Sequence, residues 1–213
     1  MAIAVLSKVA LWSRRTAAPL VPRSWPILTP RKALVAVLLL AACVQGGGSS
    51  GVSSVLGGAA KVAVPAGYCI DPKASQGGGD AALIIAGRCA SDRPVPPAVL
   101  TISFGTEGSS SVLQSGARAL SEWARSPAGR AALARDGRAS SVAVRETLVW
   151  DGAFLMRLED RRSGGYWRGA FGVKGRLVMI SVTPPGQGGL QPAEGRGILE
   201  RAITVLRRVN AAP

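Results

Sequence analysis

Residues 141–160 read Ser141-Val142-Ala143-Val144-Arg145-Glu146-Thr147-Leu148-Val149-Trp150-Asp151-Gly152-Ala153-Phe154-Leu155-Met156-Arg157-Leu158-Glu159-Asp160. Asp151-Gly152 is a favoured two-residue hairpin turn, because the tightest hairpins need positive φ at both central positions. A turn there pairs Trp150 with Ala153, Leu148 with Leu155 and Glu146 with Arg157, the last as a cross-strand ion pair worth about a few tenths of a kcal/mol. The opposite face gathers Val149, Phe154, Met156 and Leu158. Large apolar groups therefore lie on both faces near the turn, and both faces call for cover. Arg162-Ser163-Gly164-Gly165 leads into a strand over Tyr166–Val173, Lys174-Gly175 marks a second turn, and Arg176–Val182 precedes Pro184-Pro185. Residues 141–183 are expected to form a four-stranded antiparallel meander.

Downstream, Pro192 suits the first turn of a helix, Glu194 its positive dipole end and Arg207-Arg208 its negative end. Ile198, Leu199, Ala202, Leu206 and Val209 form the apolar stripe of that helix. Upstream of the meander, Ser109–Ser111 offer an N-cap, and Leu113, Ala117, Leu120 and Trp123 or Ala124 recur at helical spacing. Gly116 weakens this helix by about 1 kcal/mol relative to Ala. Ser126-Pro127 starts a second short helix that Gly137 ends. Further upstream, Lys61–Val64, Asp80–Ala86 and Val99–Phe104 read as strands bounded by Pro65, by Gly77-Gly78-Gly79 with Gly87, and by alternation. Strands, then helices, then a meander, then a closing helix define an α+β domain over residues 60–211. It has a mainly antiparallel sheet packed by helices, on both faces, and a C-terminal helix.

The 213 residues are 47% hydrophobic, which excludes a wholly disordered chain. There is no His, so Ser-His-Asp and Cys-His catalysis and His-ligated metals are excluded. The net charge of +14 invites a nucleic-acid reading, but its distribution argues against one. Residues 1–43 hold Lys8, Arg14, Arg15, Arg23, Arg31 and Lys32 and no acid, which leaves +8 for the remainder. There the basic residues are scattered, with no run longer than Arg161-Arg162 or Arg207-Arg208, so no arm or stripe tracks a phosphate backbone.

Arg31-Lys32 is followed by ten apolar residues, Ala33–Ala42, and then Cys43. Ten residues are too few to cross a hydrocarbon core of about 30 Å. A basic start, a short apolar centre and small residues at its end make a secretory signal peptide. Leu40-Ala41-Ala42-Cys43 resembles the lipobox of bacterial lipoproteins. The resemblance implies a diacylglyceryl group on the Cys43 thiol, cleavage just before it, and attachment to a membrane through palmitate-type acyl chains. Such chains contribute roughly 0.8 kcal/mol per buried methylene. Residues 43–59 then read as a lipidated cysteine and a Gly/Ser tether, with a typical reach of about 20 Å. Val44 rather than Asp after the cysteine implies, by the same resemblance, the outer rather than the inner membrane, with the domain facing the periplasm. Residues 1–42 are leader and signal peptide. Pro19, Pro22, Pro26 and Pro30 sit ahead of the signal, and translation is expected to start near residue 28, leaving 1–30 largely outside the product.

Cys69 and Cys89 lack a CxxC pattern or any His partner, so a zinc site has no ligand set. In an oxidising compartment they join, closing a loop of about 20 residues worth roughly 3 kcal/mol. They then staple the opening hairpin. In a cytosolic protein they would instead be buried free thiols.

The order of elements, with both sheet faces apolar, resembles the PsbP-like α/β/α sandwich of photosynthetic extrinsic proteins and bacterial lipoproteins. Gly67-Tyr68-Cys69-Ile70-Asp71 adds to it, and the resemblance spans about residues 60–211. It implies an accessory or docking role and carries over no functional residue.

Chemistry-bearing motifs are sparse. Gly47-Gly48-Ser49-Ser50-Gly51 matches a nucleophile elbow in spacing but lies in the tether without strand or His. No S-x-x-K spacing exists, and the glycine-rich stretches lack the Lys-Ser/Thr of a phosphate loop. Glu159 and Asp160 are adjacent on a strand and point to opposite faces. Nothing marks a catalytic residue, metal site or cofactor. The sharpest binding candidate is Trp167 with Arg168, which at a sheet rim could dock an anionic or sugar-like ligand by stacking and charge. Against it stands a core Trp beside a solvated Arg.

The expected function is a membrane-anchored lipoprotein whose domain is a noncatalytic envelope interaction module. Its partners would be an envelope protein, peptidoglycan or anionic lipid, and not nucleic acid. The alternative is a His-independent periplasmic hydrolase or transferase using two carboxylates about 5–10 Å apart. A third reading, a cytosolic basic protein, requires both body cysteines reduced and Cys43 unprocessed.

Overall fold

Both turns of the meander lie in left-handed backbone, with Asp151 and Gly152 at φ 46° and 69° and Lys174 and Gly175 at φ 48° and 77°. This mirror-image geometry matches the twist of paired strands. The computed structural model describes residues 51–90, 94–186 and 190–211. Cys43 and the leader lie outside them. The chain divides into Met1–Gln45 and Gly46–Pro213, and every described residue belongs to the second unit.

In chain order the elements are β1 (Ser53–Val55), β2 (Ala60–Val62), β3 (Tyr68–Ile70), β4 (Ala82–Arg88) and β5 (Val99–Glu107). A 3₁₀ segment (Ser109–Ser115), α1 (Gly116–Arg125) and α2 (Pro127–Leu133) follow. The meander is β6 (Val142–Trp150), β7 (Ala153–Asp160), β8 (Gly164–Val173) and β9 (Arg176–Thr183), and α3 (Pro192–Asn210) closes the chain. Seven strands form one antiparallel sheet in the order β3-β4-β5-β9-β8-β7-β6, while β1 and β2 pair as a separate ribbon. The register is the one read from the turn: Trp150 opposite Ala153, Leu148 opposite Leu155, Glu146 opposite Arg157.

One face of the sheet carries the main core. Leu100, Ile102, Leu155, Phe171, Val178 and Ile180 lie under α3, whose Ile198, Leu199, Ala202, Ile203 and Leu206 are fully buried. Each large side chain so buried contributes about 1.5–3 kcal/mol before conformational entropy is charged. Gly169 shows how close the layers are: a Cβ there would lie 3.2 Å from Ile203 Cδ1. The β1–β2 ribbon joins this core through Val55 and Val62, and Asn210 ties it to α3, accepting from Lys61 N (2.9 Å) and donating to Lys61 O (2.7 Å).

The other face is covered over β6, β7 and β8, where Phe154, Met156, Leu158 and Tyr166 pack on Ala124 and Leu133 of α1 and α2. Ser126 caps α2 by accepting from Gly129 N at 3.0 Å, with Pro127 in the first turn. Towards β4 the same face opens, and Leu83 is 38% exposed. The protein is thus an α+β fold with an antiparallel sheet helix-packed on both sides, one fully and one in part.

Several local expectations change. Lys61–Val64 narrows to Ala60–Val62, and its partner is Ser53–Val55, inside the stretch read as tether. Val55 and Leu56 are buried there, so a Gly/Ser-rich composition masked two core side chains. The short edge strand β3 is new. Three residues give no readable alternation, yet Tyr68 and Ile70 are buried. Ser109–Ser111 open a 3₁₀ segment rather than cap the helix, because Gly116 takes φ 80° and restarts the backbone as α1. In α1 the buried position is Ala124, while Trp123 is exposed. In α3 Ile203 joins the stripe and Val209 is half-buried.

Candidate functional site

The cysteine pair is bonded. Cys69 in β3 and Cys89, one residue beyond β4, form a disulfide across 20 positions of sequence, with Cα atoms 5.0 Å apart. It staples β3 to β4 rather than to the Lys61–Val64 segment, and both thiols are consumed as nucleophiles.

Trp167 and Arg168 do not form one site. Trp167 lies on the α3 face, 4% exposed, and its Nε1 donates to Pro192 O at 2.8 Å. Arg168 points to the opposite face, where its Nε donates to Ser181 Oγ at 2.9 Å and its guanidinium sits 5.5 Å from the Tyr166 ring centroid. Strand alternation separates them, and each is occupied by partners within the fold. Burial pushes the Tyr166 hydroxyl above its usual value, with Arg168 partly offsetting it.

Glu146 and Arg157 face each other in register, but the five ion pairs among the described residues do not include them. A bulge between Val144 and Glu146 breaks the ladder there and re-aims the side chains. The other unexpected polar residue is Arg176, 8% exposed, which donates to Asp80 O (2.7 Å) and Gly105 O (3.1 Å) and pairs with Asp80 Oδ1 at 2.7 Å. It ties β9 to the start of β4 and is structural.

Three concavities stand out among the described residues. The smallest, about 150 Å³, brings Asp136 and Asp160 together with Arg135, Ser141 and Arg162. Two carboxylates around one depression are what a carboxylate enzyme needs, so their protonation matters. Asp136 accepts from Ser141 Oγ (2.8 Å) and Arg138 N (3.0 Å), and these bonds hold its carboxyl below the usual range. Burial pushes Asp160 up. Bonds from Arg162 N, Ser163 N and Ser163 Oγ, helped by Arg135, outweigh it and hold that carboxyl low as well. Both shifts favour the carboxylate form, which accepts rather than donates a proton.

The sign of this shift gives a test. A carboxyl held below its unfolded value stabilises the fold above pH about 4, and that contribution disappears as pH falls through the folded value. Asp160→Asn is expected to flatten the stability curve between about pH 5 and pH 2. Urea unfolding across that range checks it. A slope identical to wild type would remove Asp160 from the acid response.

A second depression, about 270 Å³, lies at the start of α3 between Arg157, Glu159, Trp167 and Pro192. The largest, about 390 Å³ and open to solvent, runs along α3 beside Trp150, Pro65 and Ala66, with Arg201 and Arg208 on its rim. Of these, Trp150 stands out in the sequence only as a hairpin partner and Arg208 only as part of the basic end of the helix, and Arg201 does not stand out. The only sequence signal was the Gly197–Arg201–Thr204–Arg208 spacing on the outward side of α3.

Among the described residues there is no group of three or more His, Cys, Asp or Glu placed to hold a metal, and no helix long and apolar enough to cross a membrane. The fold and its surface define an α+β domain with shallow, cation-rimmed concavities. No family model matches the chain, and no curated protein or solved structure matches it.

Proposed function

We propose that the chain is a bacterial lipoprotein, acylated at Cys43, whose periplasm-facing domain is a noncatalytic interaction module of the cell envelope. The observation that carries this reading is the run Arg31-Lys32, ten apolar residues and Leu40-Ala41-Ala42-Cys43. The Cys69–Cys89 disulfide supports an oxidising compartment, where structural disulfides persist. The two-sided helical cover of the antiparallel sheet is in keeping with the PsbP-like sandwich, an accessory fold more often than a catalytic one. The Asp136–Asp160 depression is the one feature on the side of a hydrolase. Its small volume and two low carboxyls weigh for binding over catalysis. The position of Val44 favours the outer membrane.

Cys43→Ala in the full chain tests the proposal. Wild type is expected to yield an N-terminal peptide that begins at Cys43 and carries acyl mass, and to partition with membranes. The variant should lose the acyl mass and the cleavage before residue 43. An unmodified Cys43 in the wild-type protein, recovered from the soluble cell extract, would overturn the reading.

A further inference from the structure

The chain enters the fold at β1, where Ser54 sits opposite Lys61 of β2. Asn210, in the last turn of α3, is hydrogen-bonded to both backbone groups of Lys61. The entry point of the domain is therefore joined to the C-terminal end of α3. Two acids near this junction are paired among the described residues: Glu200 with Arg196 at 2.7 Å and Asp151 with Arg207 at 2.8 Å. Lys61, Arg201 and Arg208 are exposed, and among the described residues none of the three has an ion-pair partner. Arg201 and Arg208 are seven residues apart on one helix face, about 10 Å along the axis. Both rim the depression whose floor includes Pro65 and Trp150.

We propose that Lys61, Arg201 and Arg208 form a docking patch for the headgroups of anionic phospholipid on the membrane that holds the anchor. The orientation rests on acylation at Cys43. Nine residues lie between Cys43 and Ser53, ten steps of chain that span at most about 35 Å. So short a connection keeps the entry edge of the domain within reach of the bilayer surface. A patch of unneutralised cations at that edge meets anionic lipid with complementary charge, and Trp150 at the same depression suits the headgroup level, where indoles favour the interface. Arg138, Arg145 and Arg161 are also exposed, but Arg138 and Arg161 are tied to Ser141 by backbone hydrogen bonds and none of the three lines the depression along α3.

The test uses residues 46–213, the unit that contains both hydrophobic clusters and the disulfide, so that no acyl chain contributes. Binding to phosphatidylglycerol vesicles and to phosphatidylcholine vesicles is measured by co-sedimentation at low and high salt. We expect binding to phosphatidylglycerol only, weakened by salt. Each of Lys61→Gln, Arg201→Gln and Arg208→Gln should weaken it about fivefold, and the triple variant about a hundredfold. The triple Arg138→Gln, Arg145→Gln, Arg161→Gln removes the same charge and should leave binding within about twofold. Equal losses in the two triples would overturn the patch in favour of diffuse attraction, and no binding to phosphatidylglycerol would overturn it outright. Thermal melting confirms that the variants fold. Because Cys43 is absent here, failure of the patch leaves the acylation proposal standing. Conversely, an unacylated Cys43 overturns the orientation on the anchoring membrane even where the vesicles bind.

Discussion

Trp167→Ala is expected to lower the unfolding free energy by about 3–5 kcal/mol, the cost of deleting a buried indole from a packed core. The side chain is wedged beneath the first turn of α3. Its Nε1 holds Pro192 O, and a Cβ on Gly195 would lie only 3.0 Å from its Cδ1. Removing it leaves that carbonyl unpaired and opens a cavity under the helix that closes the domain. Trp167→Phe should keep most of the packing and lose about 1 kcal/mol with the hydrogen bond. Arg168→Ala should cost about 1–2 kcal/mol, since it forfeits one bond to Ser181 and a contact with Tyr166 on the sheet face opposite α3. Urea melts of the three variants separate core from surface. A Trp167→Ala protein as stable as wild type would mean that the indole is not a core residue, and would return it to consideration as a ligand contact.

Opening the Cys69–Cys89 bond is expected to cost about 3 kcal/mol, from the entropy regained by a loop of 20 positions in the unfolded chain. The native strand it secures has little else to hold it. β3 spans three residues, lies at the sheet edge and pairs only with β4. Tyr68 and Ile70 on that strand bury apolar surface, and Tyr68 Oη donates to Pro96 O at 2.8 Å, so partial detachment would expose one flank of the core. Cys69→Ser with Cys89→Ser should reproduce the effect of reductant, and reductant should then do nothing further. If neither changes the unfolding midpoint, the bond carries no stability. Alkylation of the protein taken from intact cells addresses the compartment as well: two blocked sulfurs fit the exported protein, whereas two alkylated thiols fit the cytosolic reading.

Legibility differed sharply between the two halves of the domain. The meander was readable because its turns are two-residue steps with a backbone requirement that Asp-Gly and Lys-Gly meet, and one fixed turn sets every cross-strand pair after it. The same logic placed Glu159 and Asp160 on opposite faces. The first strands were harder. Ser53–Val55 lay inside a Gly/Ser-rich run, and Tyr68–Ile70 was too short for alternation to register, so neither revealed its partner before the sheet was assembled. Arg145 sits at a bulge that a regular ladder does not anticipate, which is why Glu146 and Arg157 stay opposite yet unpaired.

From local chemistry alone follow the α+β class, both hairpin turns and the closing helix, because each depends on residues close together in the chain. Tertiary structure alone decided the rest. It brought β2 and the end of α3 together across 149 positions through Asn210. It also used up Trp167 and Arg168 within the fold, and among the described residues it left Lys61, Arg201 and Arg208 without an ion-pair partner. Charge pairing and burial depend on distances through space, and those are set only when the sheet and its helices pack.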